Sequence, residues 1–382
     1  MAGQKVLIIG GGFGGVAAAR TARSLLDREH DVVLVDRDRR TYLCGSFPML
    51  IIGEREPLKV SRSLPSLANR GIGYVQAEVT SIDVAAQTVS TSSGILEYDH
   101  LVLATGVEYD WGAVPGAANA FSFYDLHSAR RLRRRLSSFR KGKVVIAVSS
   151  LPYKCPPAPI EAAMLLTWDF KRRGLLNDTE VHIFTPEPAA LPVAGPEGNA
   201  SLLKDFMKRG IHTHTGLSIT EVARGGREAS FSDGSSMDAD LVITIPVHRV
   251  PHVIQNSGVA KEAGWVKVSP RTLQASRVNV YAVGDINIIP MSNGRPLPKA
   301  GVFASAEGET VGHNIAAALN GTPPIAFPGR GYCFIAYSGS QAGQVRGNFL
   351  SEGSPSVTVQ RPSGAGHRAK ERFEHDWKRF RI

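Results

Sequence analysis

A glycine-rich turn near the start of the chain restricts its fold more strongly than any other feature. Gly10, Gly12 and Gly15 form the pattern Gly-x-Gly-x-x-Gly between the apolar residues 6–9 and an alanine-rich segment. Where a strand passes into a helix, such glycines allow a tight turn, close approach of the backbone to a pyrophosphate, and close packing of the helix on the strand. The phosphates then lie at the positive end of the helix. The pattern predicts a dinucleotide-binding α/β domain.

An acidic residue follows the next predicted strand. Residues 31–35 are apolar after the first position, and the strand ends at Asp36. An acid at this place binds the hydroxyl pair of a ribose. Because the glycine turn and the acid occur together and in order, the sequence predicts a dinucleotide site here.

Two later segments indicate that the dinucleotide is FAD. Both are predicted strands whose ends resemble those of flavoproteins with two dinucleotide folds, where the final aspartate binds the ribityl chain. The residues concerned are Ala104, Thr105 and Gly106 after the first strand, and Gly284 and Asp285 after the second. In such flavoproteins the following helix points its N-terminus at the flavin pyrimidine, and residues 298–308 fit that helix. Its positive end, with Lys299 and Gly301 nearby, would stabilise an anionic reduced flavin.

A second strand-to-helix turn lacks the glycines that a second nucleotide would need. The predicted strand 143–148 leads into residues 149–159, which contain no glycine but four prolines. Proline fixes φ and removes backbone N–H donors that would otherwise hold a pyrophosphate. We therefore predict that the chain does not bind NAD(P)H at this turn. Cys155 stands within the loop, which indicates a small reductant that reacts with sulfur, with sulfide as the leading candidate.

The chain has three cysteines, Cys44, Cys155 and Cys333. An odd number at wide spacing fits neither a disulfide framework nor a zinc knuckle. His212 and His214 alternate on a predicted strand, but the sequence offers no evident third ligand, so no metal site is predicted. Each cysteine therefore needs its own explanation.

Residues 155–161, Cys-Pro-Pro-Ala-Pro-Ile-Glu, resemble a segment of the flavoprotein subunit of flavocytochrome c sulfide dehydrogenase and, more broadly, the sulfide:quinone oxidoreductases. The resemblance extends from the glycine turn through the Cys333 segment, and all three cysteines have counterparts. It implies that Cys155 and Cys333 form a redox-active disulfide beside the flavin, and that Glu161 is the acid–base residue. It also implies that Cys44 carries the flavin through a thioether, as in the flavocytochrome subunit.

The resemblance predicts a reaction but leaves its electron acceptor open. Hydrosulfide would attack the disulfide and leave a persulfide on one cysteine, the partner thiolate would pass electrons to FAD, and Glu161 would carry the proton. The positive helix end would lower the thiol pKa values and so favour thiolates. The electrons would pass to cytochrome c or to a quinone bound around Phe334 and Tyr337. Two other classes stay open, an NAD(P)H-dependent quinone or disulfide reductase and a flavin-bearing redox sensor.

The net charge of +10 is partly local, because eight lysines and arginines fall within residues 130–143. This cluster is either a solvated helix or a patch for anionic lipid or an acidic protein, and no accompanying motif indicates nucleic-acid binding. The basic tail places Phe373, Trp377 and Phe380 at helical spacing, for packing on the flavin domain or for peripheral membrane contact. No apolar run reaches the roughly 20 residues of a spanning helix. With no leader visible, we expect a cytoplasmic protein or one peripheral on the cytoplasmic membrane, or a periplasmic one if a leader has been removed.

The expected architecture is α/β, with two Rossmann-like dinucleotide-binding domains arranged as in glutathione reductase and a C-terminal interface segment. Residues 1–117 and 248–322 would form the FAD-binding domain. Residues 118–247 would form a vestigial NAD(P)-type domain inserted into it, and residues 323–382 would carry Cys333 to the flavin.

Overall fold

The computed structural model describes residues 3–260, 264–351 and 355–381. Its strands are β1 (Lys5–Ile9), β2 (Asp31–Asp36), β3 (Arg40–Tyr42), β4 (Ser61–Ser63), β5 (Gly73–Gln76), β6 (Val79–Asp83), β7 (Thr88–Thr91), β8 (Gly94–Glu97), β9 (His100–Leu103), β10 (Glu108–Asp110), β11 (Gly142–Val148), β12 (Thr179–Thr185), β13 (Ile211–Thr215), β14 (Ile219–Ala223), β15 (Glu228–Phe231), β16 (Ser236–Asp238), β17 (Leu241–Ile245), β18 (Val247–Arg249), β19 (Val266–Lys267), β20 (Val280–Ala282), β21 (Asn287–Ile288), β22 (Arg330–Ala336), β23 (Ala342–Asn348) and β24 (Ser356–Ser363). Its helices are α1 (Phe13–Leu25), α2 (Phe47–Ile51), α3 (Leu126–Ser138), α4 (Ala158–Arg172), α5 (Gly195–Arg209), α6 (His252–Gln255), α7 (Gly301–Asn320) and α8 (Gly364–Lys378).

Two parallel sheets form the centres of the fold. The first has the order β20-β9-β1-β2-β5 and the second the order β13-β12-β11-β17, with parallel pairing throughout. Their central strands are nearly continuous apolar runs, which is typical of parallel strands buried on both faces. Each sheet is accompanied by a small antiparallel sheet, β6-β7-β8 for the first and β14-β15-β16 for the second. The predicted α/β class with two Rossmann-like sheets is confirmed.

The first sheet takes its strands from both sides of the second along the chain. Strands β1 to β9 precede the second sheet, whereas β20 follows it and pairs with β9. The second sheet is therefore inserted between β9 and β20, in the order that the sequence predicted. The exact domain limits stay predictions.

Helices α1 and α7 cross at backbone contact beside the glycine turn. A Cβ on Gly308 would overlap the backbone of Gly14, and one on Gly312 would lie 2.8 Å from the carbonyl oxygen of Ala18. Small residues at a helix crossing allow this approach, since a larger side chain would force the axes apart. The contact fixes the N-terminus of α7 next to the start of α1.

The C-terminal segment forms the antiparallel sheet β22-β23-β24 and helix α8. Helix α8 packs on the first domain, because the Trp377 ring lies 5.9 Å from that of Phe13 and 4.4 Å from the guanidinium of Arg62. Trp377 is buried and so is Phe380. Of the two roles considered for this tail, packing on the flavin domain is confirmed. Within the part of the chain that the structure describes, no helix has the length and apolar character needed to cross a membrane.

The basic cluster lies on and after α3. Arg133 pairs with Glu56 at 2.7 Å, and the Arg131 guanidinium lies 4.5 Å from the ring of Phe121. The remaining members are mostly exposed, among them Arg130, Arg134, Arg140 and Lys141. Most of the cluster is thus a solvated helix face.

Replacing Gly15 with alanine should lower the free energy of unfolding by about 1–3 kcal/mol, the usual cost of forcing extra atoms into a packed site. The reason is that a Cβ at Gly15 would overlap the carbonyl oxygen of Gly10. Urea unfolding of the wild-type and variant proteins, compared at equal cofactor content, measures the change. The matched control is Gly112→Ala, whose Cβ would meet only Asp110 Oδ1, at 3.6 Å. Equal stabilities of the two variants would contradict the packing role of Gly15.

Candidate active site

A single cavity of about 340 Å³ collects the predicted site residues. It opens where the carboxyl ends of β1, β2, β9 and β20 meet the N-terminus of α7, the edge at which parallel α/β sheets bind ligands. All residues that were predicted to act in catalysis or to hold the cofactor, except Gly15, line it: Gly10, Gly12, Asp36, Cys44, Ala104, Thr105, Gly106, Cys155, Glu161, Gly284, Asp285, Lys299, Gly301 and Cys333. Gly15 instead packs against the carbonyl of Gly10 below the turn.

The glycine turn has the features that a dinucleotide requires. The N–H of Gly11 donates to Asp36 Oδ2 at 2.6 Å, so the acid is fixed at the end of β2. Burial raises the pKa of Asp36. The backbone hydrogen bonds that its carboxylate accepts act in the opposite direction but are outweighed. A Cβ on Gly12 would meet no heavy atom within 4 Å, which leaves the turn open toward the cavity. The buried hydroxyl of Thr105 finds no hydrogen-bond partner among the described residues. A bound group with polar atoms would satisfy it.

A buried network holds the turn that carries Asp285. Glu307 Oε2 accepts from the N–H of Gly284 at 2.5 Å and from Nδ2 of Asn287 at 2.7 Å. The Lys299 ammonium donates to the carbonyls of Asp285 and Asn287 at 2.7 and 2.9 Å. Burial raises the pKa of Glu307 to about 8 and lowers that of Lys299 to about 8. Lys299 therefore lines the cavity, but its ammonium group hydrogen-bonds to the turn that carries Asp285.

Sequence reasoning missed Glu307 and Asn287. The available signal was the position of Glu307, a carboxylate between Ala306 and Gly308 on a helix that is otherwise small and apolar there. A buried carboxylate on such a face needs donors, and the Gly-Asp turn supplies them.

The proline-rich loop sets Cys155 at the start of α4. Its N–H donates to the carbonyl of Lys299 at 2.7 Å, within a parallel bridge between Lys154 and Lys299. Its carbonyl accepts from the N–H of Ala158 at 2.8 Å, which begins the helix. Cys155 adopts a φ of 54°, a left-handed conformation that is uncommon outside glycine. Glu161 follows in the first turn of α4.

Cys333 reaches the same cavity from β22, and both cysteines are free thiols. Burial raises the pKa of Cys155, and the neighbouring Cys333 and Glu161 raise it further. Burial and Glu161 raise the pKa of Cys333 to about 12. The prediction of lowered thiol pKa values is wrong, because loss of water around both thiols outweighs the positive end of α4.

Glu161 forms a buried ion pair that the sequence did not reveal. Its Oε1 lies 3.4 Å from the ammonium of Lys370, and both side chains are almost fully buried. Burial raises the pKa of Glu161, although Lys370 opposes the shift. Burial alone would lower the pKa of Lys370, but Glu161 and Glu374 together raise it. The sequence gives only a weak indication that Lys370 is buried, which is that it falls on the same helical face as Phe373 and Trp377.

Lys154 is a second missed cation. Its ammonium donates to Cys44 Sγ at 3.8 Å and lies 5.0 Å from the centre of the Tyr109 ring. Burial acts to lower its pKa, but Cys44, Tyr109 and Asp285 outweigh burial and raise it. The cavity thus holds a positive charge beside the cysteine that was predicted to carry the flavin.

An aromatic cluster closes the cavity on the side of α8. Tyr332 and Phe334 of β22 lie 6.0 and 5.9 Å from the ring of Phe373, which stacks at 6.3 Å on Phe13. Phe334 lines the cavity, as the sequence suggested for an acceptor site. Tyr337 does not, because it lies on the far side of β22 near the guanidinium of Arg209, at 5.7 Å. Grouping Tyr337 with Phe334 is therefore wrong.

A larger apolar cleft of about 910 Å³ lies at the carboxyl end of the second sheet. Pro152, Tyr153 and Pro156 of the proline-rich loop line it, and the side chains of Glu187 and Arg295 pair at 3.1 Å. A phosphate-binding turn would occupy the position that this loop fills. The prolines present no N–H groups to a pyrophosphate.

His212 and His214 have a histidine neighbour that the sequence did not show. His182 Nδ1 lies 3.2 Å from His214 Nε2, and its ring stacks on His212 at 4.6 Å. Across the described ranges, no group of three histidine, cysteine or acidic residues could hold a metal ion.

The chain is similar to known proteins in both sequence and structure. A model of the pyridine nucleotide-disulphide oxidoreductase family matches residues 4–308, well over half of the chain. The chain is 27% identical over 355 residues to the sulfide-quinone reductase of Aquifex aeolicus, covering 89% of this chain and 82% of that protein. It is 28% identical over 369 residues to a chloroplastic/mitochondrial alternative NAD(P)H-ubiquinone oxidoreductase of Arabidopsis thaliana, covering 85% and 69%. The crystal structure of the sulfide:quinone oxidoreductase from Aquifex aeolicus is similar with a TM-score of 0.89 and 25% identity, over 99% of this chain and 92% of that one.

His248 is a buried histidine in the aromatic wall next to Lys154. Its ring lies 5.1 Å from that of Tyr109 and 5.5 Å from that of Tyr124, and its Nδ1 lies 2.8 Å from the carbonyl oxygen of Pro246. Burial, with a smaller effect of Lys154, lowers the pKa of His248 to about 3. The folded protein therefore keeps this ring neutral where the unfolded chain would protonate it.

We expect His248 to make the fold sensitive to mild acid. Above the unfolded pKa of 6.5 the residue is neutral in both states and contributes no pH dependence. As the pH falls from 6.5, only the unfolded chain takes up the proton, so stability drops by about 2 kcal/mol by pH 5. His248→Gln should remove that part of the loss, measured as the free energy of unfolding at pH 7 and pH 5. The exposed His252 provides the control variant, His252→Gln. An unchanged pH dependence in the His248 variant would refute the assignment.

Proposed function

The chain belongs to the pyridine nucleotide-disulphide oxidoreductase family, and from this membership we propose that it is a flavoenzyme that oxidises sulfide and passes the electrons to a quinone. One observation carries the proposal: Cys155, Cys333 and Glu161 line the same cavity as the glycine turn and Asp285. The names of the Aquifex relatives support the same activity.

FAD is the cofactor that fits this cavity. Gly10, Gly12 and Asp36 would hold the adenosine and pyrophosphate, and Asp285 the ribityl chain. The open turn at Gly12 and the unsatisfied hydroxyl of Thr105 support this placement. When bound here, FAD would supply a two-electron acceptor beside the sulfur pair, which a quinone could reoxidise.

The sulfur chemistry begins with the oxidised form of the pair, a disulfide between Cys155 and Cys333. Hydrosulfide attacks one sulfur, the S–S bond breaks, a persulfide forms on that cysteine, and the other cysteine leaves as a thiolate. A raised pKa makes the released thiolate a stronger nucleophile, although it also makes that cysteine a poorer leaving group. Glu161, whose pKa is raised by burial, exchanges protons with these sulfur atoms.

The overall reaction fixes the proton balance. Hydrosulfide gives up two electrons and becomes zero-valent sulfur, and a quinone takes up two electrons and two protons. One of those protons comes from hydrosulfide and the other from solvent. Each turnover therefore consumes one proton when a quinone is the acceptor.

The quinone would bind at the aromatic cluster of Tyr332, Phe334 and Phe373. These rings line the cavity on the side of α8, and aromatic surfaces suit a flat, apolar ring. Cytochrome c remains the second acceptor to test, because the flavocytochrome subunit that the cysteine pattern resembles uses it. Contact with a membrane, where quinones reside, would involve the exposed basic residues of α8, such as Arg368 and Arg372.

Anaerobic addition of sulfide should bleach the flavin absorbance of the purified protein, whereas NADH should not. Sulfide reacts at the cysteine pair, while the proline-rich loop lacks the backbone donors that NADH would need. Cys155→Ser and Cys333→Ser should each abolish bleaching by sulfide. Reduction by dithionite, which bypasses the cysteines, is the control for an intact flavin site.

The competing classes give different results in the same titration. Bleaching by NADH but not by sulfide would identify a pyridine-nucleotide enzyme. A redox sensor would form the disulfide but show negligible turnover with sulfide and any acceptor. Unchanged reduction by sulfide in either serine variant would refute the disulfide mechanism.

We further propose that Cys44 forms a thioether to a methyl carbon of the flavin. The thiol S–H bond and one methyl C–H bond would break as the S–C bond forms, and the flavin would take up the two electrons and two protons released. Its thiol lines the cavity, and the ammonium of Lys154 lies 3.8 Å from its sulfur. The Cys44 sulfur therefore faces the cavity next to a positive charge.

After acid denaturation, the flavin should stay with the wild-type polypeptide and raise its mass by that of FAD. Cys44→Ser should release the flavin under the same conditions, because it lacks the sulfur that makes the bond. Cys333→Ser is the matched control and should retain it. Free flavin from the denatured wild-type protein would show that the attachment is non-covalent.

A further inference from the structure

Three buried charged side chains form a continuous line away from the cysteine pair. Glu161 Oε1 lies 3.4 Å from Lys370 Nζ, which lies 3.9 Å from Oε1 of Glu374. The exposed fraction of the side chain rises from 2% for Glu161 to 5% for Lys370 and 11% for Glu374. The line therefore begins at the cavity and ends where water can reach a carboxylate.

The outer carboxylate is held firmly. Ser46 Oγ donates to Glu374 Oε1 at 2.6 Å, and Nε of Arg55 donates to Glu374 Oε2 at 2.7 Å. Lys370 is held as well, because its ammonium also donates to the carbonyl of Gly45 at 3.1 Å. Ser46 and Gly45 directly follow Cys44, so the line is anchored to the wall of the flavin cavity.

Among the described residues, a few titratable or charged groups lie next to this line. Lys370 faces Glu161 of α4, Cys155 of the proline-rich loop and Glu374 of its own helix. Glu161 faces both cysteines as well as Lys370, and Glu374 faces Arg55. Arginine cannot give up a proton at these pH values, so Arg55 fixes Glu374 without passing a proton on.

The reaction proposed above makes a specific demand on such a line. Each turnover with a quinone takes up one proton from solvent, and Glu161, which exchanges protons with the sulfur atoms, is almost fully buried. Both cysteines are only partly buried. A proton donor within the protein is therefore needed to reach Glu161. Carboxylate and ammonium groups at hydrogen-bond or ion-pair distances are suited to that transfer.

We propose that Lys370 and Glu374 carry this proton from solvent to Glu161. Lys370 gives a proton to Glu161 and recovers one from Glu374, which is reprotonated by water. No electrons move in these steps, and the net result is the single proton that quinone reduction consumes. The inference rests on the proposed function and adds Lys370 and Glu374 to the residues that serve it.

The test compares Glu374→Gln with Glu371→Gln in the FAD-loaded protein, using sulfide and a soluble short-chain quinone. Glu371 is the matched control, because it lies on the same helix and also faces Arg55, at 3.7 Å, but is half exposed and outside the line. The measurements are the turnover rate across pH, its solvent deuterium isotope effect, and proton uptake followed with an indicator dye.

Glu374→Gln should slow turnover and proton uptake by about tenfold, which is below the roughly 10²–10⁴-fold typical of a group that acts directly on the reacting atoms, because Lys370 and Glu161 stay in place. Its solvent isotope effect should rise, and small acids such as formate should restore part of the rate. Glu371→Gln should match the wild-type protein. Lys370→Met should lose about 10²-fold.

The outcomes separate this inference from the function it rests on. If the wild-type protein does not couple sulfide to quinone, the proposed function and the inference both fail. If the wild-type protein turns over and Glu374→Gln equals Glu371→Gln in rate and isotope effect, only the proton line is overturned. Should Glu374→Gln bind FAD poorly, Ser46→Ala decides instead: it keeps both charges but releases Glu374 Oε1, and it must show a smaller loss with the same isotope effect.

Discussion

The ion pair between Glu161 and Lys370 holds together the part of the molecule that matters most for its chemistry. It joins α4 of the second domain to α8 at the C-terminus, and the cysteine pair lies against it. Removing one partner of a buried pair leaves an unpaired charge and typically costs about 3–5 kcal/mol. Packing of Phe373 and Trp377 on Phe13 places Lys370 correctly, so the apolar face of α8 and the buried ammonium of Lys370 depend on each other.

The second Rossmann-like unit keeps its sheet while its ligand-binding turn has changed. Strand β11 and helix α4 have the places that a nucleotide-binding unit requires, but the loop between them is rich in proline and bridges to Lys299. That bridge brings Cys155 to the flavin side, near the turn of Asp285. The prolines of this loop thus remove the backbone N–H donors that a pyrophosphate would need. The same loop places the thiol of Cys155 in the cavity.

The sequence was sufficient for features that are decided by a few neighbouring residues. The turn of Gly10, Gly12 and Gly15 could be predicted because its steric needs are local, and Asp36 because a strand end fixes its place. Lys154, Glu307 and Lys370 were missed because their roles depend on partners that are distant in sequence. The error about the thiol pKa values has the same origin, since burial by β22 and α8 cannot be read from residues 155–161.

High thiol pKa values and a buried acid belong to one physical arrangement. Burial raises the pKa values of the cysteine pair, and the burial of Glu161 removes the solvent that would deliver protons to it. A buried carboxylate alone would not solve this, because once ionised it would need a new proton from outside. Lys370 stabilises that ionised form, and Glu374, held at the edge of the solvent by Ser46 and Arg55, is placed to renew the proton. Because burial separates Glu161 from solvent, a line of charged residues is necessary to carry protons to it.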